Sequence, residues 1–169
     1  MTMKNINTPI TEDVITELNV GDMITLSGYI LTGRDAVLPK IVSLIKNDKV
    51  DELGVDLQGS VIFHTAVSPA GVGPTSSNKL EIEGSIHTLS EAGVKLHLGK
   101  GAISNTTIAA LQTNNSVFAV IPPVTALLQS KILEQRVVAF AEEGMEALHL
   151  LKVDCFPAII AAAHGQSLY

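Results

Sequence analysis

Apolar and polar positions along this chain change period repeatedly, and each change marks an element. Val14, Ile15 and Leu18 share one face of a short helix whose start lies at Thr8-Pro9-Ile10-Thr11. Met23 to Leu31 reads as a strand with Gly28 marking a bulge, and it runs out in Thr32-Gly33-Arg34-Asp35. A helix carrying Ile41, Leu44 and Ile45 follows. Pro39 is comfortable only in a first turn, so the secure part of that helix begins there. Residues 47–59 are polar and read as a connection with a short turn around Val50 to Leu53.

Ser60 to Val67 is rich in β-branched and aromatic residues, the pattern of a buried strand. Leu80, Ile82, Ile86 and Leu89 then recur at helical spacing, with Gly93 placed to end the helix. Between them, residues 69–79 hold two glycines, two prolines, three hydroxyls and an amide, and read as a loop. Asn78 with Glu81 three residues on has the form of a capping box. Val94, Leu96 and Leu98 alternate with Lys95 and His97, as in a strand with one wetter face. Ser104 or Asn105 caps a helix bearing Ile108, Ala109 and Leu111.

Ser116 to Ile121 is a further strand ending at Pro122-Pro123, and Thr125 to Ile132 a short helix. Val137 to Ala141 is another apolar run, residues 147–153 and 157–163 read as closing strands, and His164-Gly165-Gln166 is a turn. Strand and helix alternate, which indicates an α/β fold. With no repeat or internal linker, residues 1–169 form a single domain.

Composition narrows the function. Hydrophobic residues make up 46% of the chain and charged residues 17%, so a partner subunit is expected to cover part of the surface. The runner-up is simply a core rich in Ala and Val, and a homodimer is a further way to hide such a surface. The net charge of −6, without a basic run, argues against nucleic acid or an anionic membrane as partner. Cys155 is the only cysteine, so neither an internal disulfide nor a set of thiolate ligands exists. The polar N-terminus and the lack of an apolar run of membrane-spanning length make a cytoplasmic protein the expectation.

Three connections share one design, in which an apolar strand ends near glycine, a cation or hydroxyl follows, and a helix begins. They are Gly33-Arg34-Asp35, Gly73-Pro74-Thr75 with Lys79, and Gly99-Lys100-Gly101. Ligands in open α/β sheets bind beyond the carboxyl ends of strands. If these strands are parallel neighbours, Arg34, Thr75, Lys79 and Lys100 face one crevice. A guanidinium fork, two ammonium groups and a short hydroxyl suit a small di- or polycarboxylate better than a nucleotide. Neither a GxGxxG nor a GxxxxGK[ST] phosphate loop is present.

The same residues carry a family resemblance. Gly21-Asp22 through Leu26-Ser27-Gly28 to Leu31-Thr32-Gly33-Arg34-Asp35 resembles the opening of the beta subunit of iron–sulfur (class I) fumarases and L-tartrate dehydratases. Gly73-Pro74-Thr75 with Lys79-Leu80-Glu81 is similar to that family's Gly-Pro-Thr-Thr…Arg-Met-Asp stretch, and Gly99-Lys100-Gly101 to its Lys-Gly-Asn loop. Gly144-Met145-Glu146-Ala147 and Val153-Asp154-Cys155-Phe156-Pro157-Ala158 resemble its closing segment.

The resemblance implies a swivelling β/β/α three-layer domain that pairs with an alpha subunit. That partner would hold a [4Fe–4S] cluster through three cysteines, with the open iron acting as Lewis acid on a departing hydroxyl. The implied reaction is reversible removal of water from a 2-hydroxydicarboxylate of the malate/fumarate or tartrate type. By the same resemblance, Arg34 and Lys100 bind and polarise substrate carboxylates, Thr75 sits at the reacting carbon, and Gly73, Pro74 and Ser76 line the substrate. Lys79 takes the place of the family's second arginine, Ser76-Ser77 replace its second threonine and neighbour, and Pro122-Pro123 replace a Gly-Gly pair. These departures also admit a divergent, non-catalytic homologue that binds a carboxylate or a partner subunit.

The remaining polar candidates have plainer readings. His64, His97 and His149 lie within strand patterns and are expected to be structural, while His87 is an exposed helix residue. Cys155 is expected to pack as a small apolar side chain, and Glu142, Glu143 and Glu146 to form a solvated acidic turn.

Overall fold

The computed structural model describes residues 3–68, 71–75, 79–121 and 125–168, and the side-chain surroundings of residues 3–67, 83–121 and 128–168. Ten strands and five α-helices follow one another among these residues. They are β1 (Lys4–Asn7), α1 (Glu12–Thr16), β2 (Met23–Thr32), α2 (Leu38–Lys46), β3 (Val61–Phe63), β4 (Thr65–Ser68), β5 (Gly71–Thr75) and α3 (Lys79–Glu91). The second half holds β6 (Leu96–Gly99), α4 (Asn105–Thr113), β7 (Val117–Val120), α5 (Thr125–Ser130), β8 (Ile132–Ala139), β9 (Leu148–Ala163) and β10 (Gln166–Ser167).

The fold is mixed α/β, as the alternating periods indicate. β1, β2, β3, β6 and β7 run parallel in that order. β9 then pairs antiparallel with both β7 and β2. The pairings β2–β3–β6–β7–β9–β2 therefore close a ring, with β8 on the outside of β9. Closure leaves one sheet face to the interior, which the alternation of each strand fills with apolar side chains. Ile24, Leu26, Ile30, Phe63, Leu96, Leu98, Leu151 and Phe156 meet there. The outward face of β2 and β3 packs Leu31 and Ile62 against Leu38 and Ile41 of α2 and Leu89 of α3. Ile86, Ile108 and Leu111 of α3 and α4 cover Phe118 and Ala162.

Local signals explain many boundaries. The bulge at Gly28 is real: register shifts between Leu26 and Gly28, φ is +109°, and a Cβ there would fall 2.4 Å from Thr8 Oγ1. Pro39 lies in the first turn of α2. Ser104 caps α4, its hydroxyl accepting the Thr107 N–H.

Other expectations are corrected. The run 60–67 is two strands broken at His64, and residues 71–75 are not loop but β5, hydrogen-bonded antiparallel to β4 with Thr65 opposite Thr75. The two closing strands are one 16-residue strand that bends at Cys155 (φ +53°) and carries Pro157 opposite Thr25. Residues 132–139 form an exposed strand rather than a helix end and an apolar run. β6 has no wet face: His97 is fully buried, and the buried Lys95 reaches Glu12 at 2.5 Å. Cys155 is exposed rather than packed. The capping pair Asn78–Glu81 falls outside the described residues and side chains.

Candidate functional site

Two of the three glycine turns leave parallel strands at the same edge, with one strand between them. β3 lies between β2 and β6 and is parallel to both. Gly33-Arg34 leaves the carboxyl end of β2, and Lys100 that of β6. Adjacent strands are about 4.8 Å apart, which separates the two turns by about 10 Å. The hairpin β4–β5 rises from the same end of β3, since only His64 separates β3 from β4.

Each turn has a local cause. Gly33 donates its N–H to Phe63 O at 3.0 Å, and a Cβ on it would press on Val37 and Leu38 at 3.0 Å. Arg34 O then accepts the N–H groups of Val37 and Leu38, which starts α2. Gly99 lies against the Phe118 ring, where a Cβ would come within 3.1 Å, and Gly101 takes a φ of +77° that side chains disfavour.

The Arg34 guanidinium is half-buried and donates to Glu146 Oε2 at 3.1 Å. The other oxygen, Oε1, accepts the Ala36 N–H at 3.2 Å. The hydrogen bond from Arg34 is the main reason that the Glu146 carboxyl titrates below its ordinary value. Glu146 is thus no solvated turn residue but a strut between the Arg34 turn and the segment before β9. Glu143 likewise pairs with Lys40 at 2.6 Å. Lys100 is exposed and has no ion pair among the described residues. The backbone of Gly73, Pro74 and Thr75 lies in β5, and Lys79 opens α3; their side-chain surroundings, and Ser76 altogether, are outside the described residues.

A cleft of about 540 Å³ adjoins the Arg34–Glu146 pair through Met145 and is lined by Val67, Val137 and His149 among others. His149 Nδ1 lies 2.9 Å from Ala147 O. A carbonyl only accepts, so that nitrogen carries the proton. Behind the rim, His64 Nε2 lies 3.1 Å from His97 Nδ1, and His97 Nε2 lies 3.0 Å from Ser90 Oγ. Burial pushes His64 down to about 4 and His97 well below its ordinary range, so both rings are neutral near pH 7. Sequence reasoning read both histidines as structural, as their burial bears out, but missed that they pair, and it read Glu146 as a solvated turn residue. Both histidines stand at the same phase of neighbouring strands, a signal that becomes readable once the strands are known to pair.

Among the described residues no three His, Cys, Asp or Glu side chains come together as metal ligands, and no helix is long and apolar enough to cross a membrane.

The chain is 29% identical over 178 residues to the L(+)-tartrate dehydratase subunit beta of Escherichia coli strain K12, which covers 98% of this chain and 86% of that one. It is 30% identical over 175 residues to a Geobacillus stearothermophilus protein named "Putative fumarate hydratase class I". That match covers 95% of this chain but spans 32% of the length of the longer relative. The family model described as Fumarase C-terminus matches residues 2–169. With the motifs and a match of that extent, the chain belongs to the Fumarase C-terminus family.

Proposed function

We propose that this chain is the substrate-binding beta subunit of a hydro-lyase that reversibly removes water from a 2-hydroxydicarboxylate of the malate/fumarate or tartrate type. The observation that carries the reading is the shared edge of β2, β3 and β6, from which the Arg34 and Lys100 turns both depart. An alpha subunit, implied by the naming of the tartrate dehydratase relatives, completes the enzyme on this reading. The [4Fe–4S] cluster belongs to that partner. The three-layer swivelling arrangement and a cytoplasmic location are part of the same proposal, and helices packed outside a closed ring of strands are compatible with the former.

The chemistry assigned to this chain is electrostatic. Removing a proton from carbon next to a carboxylate loads charge onto that carboxylate, and fixed cations aimed there lower the barrier. Arg34 and Lys100 take that role, and Arg34 is already oriented by Glu146. Thr75 sits at the reacting carbon and relays the proton to a carboxylate of the alpha subunit, while Lys79, Gly73, Pro74 and Ser76 hold the substrate. Lysine in place of arginine at position 79 gives a point charge instead of a fork, so the grip on a planar carboxylate is looser there.

The isolated chain is expected to show no turnover, and the chain co-expressed anaerobically with its alpha partner to dehydrate malate or tartrate. Unchanged activity of that complex after Arg34→Ala would remove the proposal. A second reading, a non-catalytic homologue that binds a carboxylate or subunit, is favoured by Lys79 and by the engagement of Arg34 with Glu146. It predicts calorimetric binding of dicarboxylates with no turnover in any reconstituted complex.

A further inference from the structure

The helix-facing side of the rim holds a buried chain of three polar side chains with no role in the function proposed above. His64 and His97 are 0% exposed and Ser90 is 3% exposed, and two hydrogen bonds join them end to end. At the far end, His64 Nδ1 is buried with no partner among the described residues. A polar chain with an unsatisfied end is a poor way to fill space, and apolar side chains of the same volume would fill it without that cost.

What distinguishes the chain is what it joins. His64 adjoins Thr65, whose partner across the hairpin is Thr75. His97 lies on β6 three residues before Lys100, and Ser90 on α3, the helix that begins at Lys79. His64 N–H also donates to Leu98 O at 3.0 Å, so main chain and side chain together fix the root of the hairpin to β6. Apolar contacts are non-directional and tolerate sliding; linear hydrogen bonds between planar rings do not. Both rings being neutral, the chain can run in either direction, with Nδ1 of His64 ending as donor or as acceptor.

We infer that His64, His97 and Ser90 are positioning residues: a buried directional clamp that sets the spacing of the Thr75 hairpin, the Lys100 turn and the start of α3. The inference rests on the function proposed above and deepens it. Displacing reacting groups by about 1 Å costs on the order of 100-fold in rate.

The test compares His64→Phe, His64→Gln and Ser90→Ala in the co-expressed alpha–beta complex. His64→Phe is expected to lower kcat about 10- to 100-fold with KM within about threefold of wild type, and His64→Gln, which keeps a nitrogen near the position of Nε2, to restore most of it. Amide resonances of Thr75 and Lys100 in the isolated chain should move in His64→Phe and return in His64→Gln, a readout independent of turnover. A folded His64→Phe complex with kcat within about twofold of wild type, while Lys100→Ala is inactive, overturns the clamp and leaves the hydro-lyase reading standing. If Lys100→Ala is fully active, the site itself is wrong. Should His64→Phe fail to fold, an unaltered kcat in Ser90→Ala overturns the clamp instead.

Discussion

Arg34 and Lys100 show how differently two cations can be held at one rim. Arg34 is oriented by a carboxylate that also accepts the Ala36 N–H. Glu146→Gln is expected to cost about 0.5–1 kcal/mol in a chemical denaturation series, because the pair is only half-buried. The sign with pH follows from the lowered Glu146 pKa: the stabilisation is complete above the ordinary value of 4.5 and fades as pH falls through the lower folded value. The melting-temperature gap between wild type and Glu146→Gln should therefore close below about pH 4.5. The buried imidazoles act independently of that pair. Unfolded histidines take up protons below about pH 6.5 while His64 stays neutral to about 4, so acidification through this window favours unfolding. A wild-type melting temperature that is flat between those values would contradict the buried, neutral pair. At this scale sequence reasoning located Arg34 and Lys100 at strand ends, because each follows a glycine there. It misread Glu146 as a solvated turn residue, because its partner lies 112 positions away.

Among the elements, those with a clean period were legible and those without were not. β2, α2 and α4 announced themselves through an apolar run, Pro39 and Ser104. β5 did not, since Gly71, Gly73 and Pro74 all argue locally against a strand, and only its pairing with β4 makes it one. β8 is exposed along most of its length, so neither face imposes alternation on Leu133-Glu134-Gln135-Arg136-Val137. β9 looked like two strands because Cys155 and Pro157 interrupt it, yet it bends at Cys155 and continues. The bulge in β2 gives a direct test of element-level reasoning. Gly28→Ala combines a φ of +109° with an oxygen 2.4 Å from the new methyl group, and should destabilise by about 1–3 kcal/mol in urea titration. A neutral substitution would mean that the bulge relaxes freely.

For the whole molecule, closure of the ring is the property that no local pattern contained. An α/β fold follows from alternating periods, but the ring requires β9 to pair with β2 and β7 at once, and periodicity does not encode partners. Removing residues 148–168 would open the ring and uncover the interior side chains of β2 and β7. That truncation should lose the cooperative calorimetric transition of the full chain rather than merely shift it. Closure also holds the carboxyl ends of β2, β3 and β6 on one edge, which is where the function is assigned. Lys100 tests that assignment most directly, being exposed and without an ion pair among the described residues, so its loss should change stability by no more than about 0.5 kcal/mol. The decisive measurement is kcat/KM for malate and tartrate dehydration by the co-expressed alpha–beta complex carrying Lys100→Ala. A fall of at least about 100-fold with an unchanged melting temperature is predicted, and a value within about twofold of wild type would contradict a dicarboxylate site at this rim.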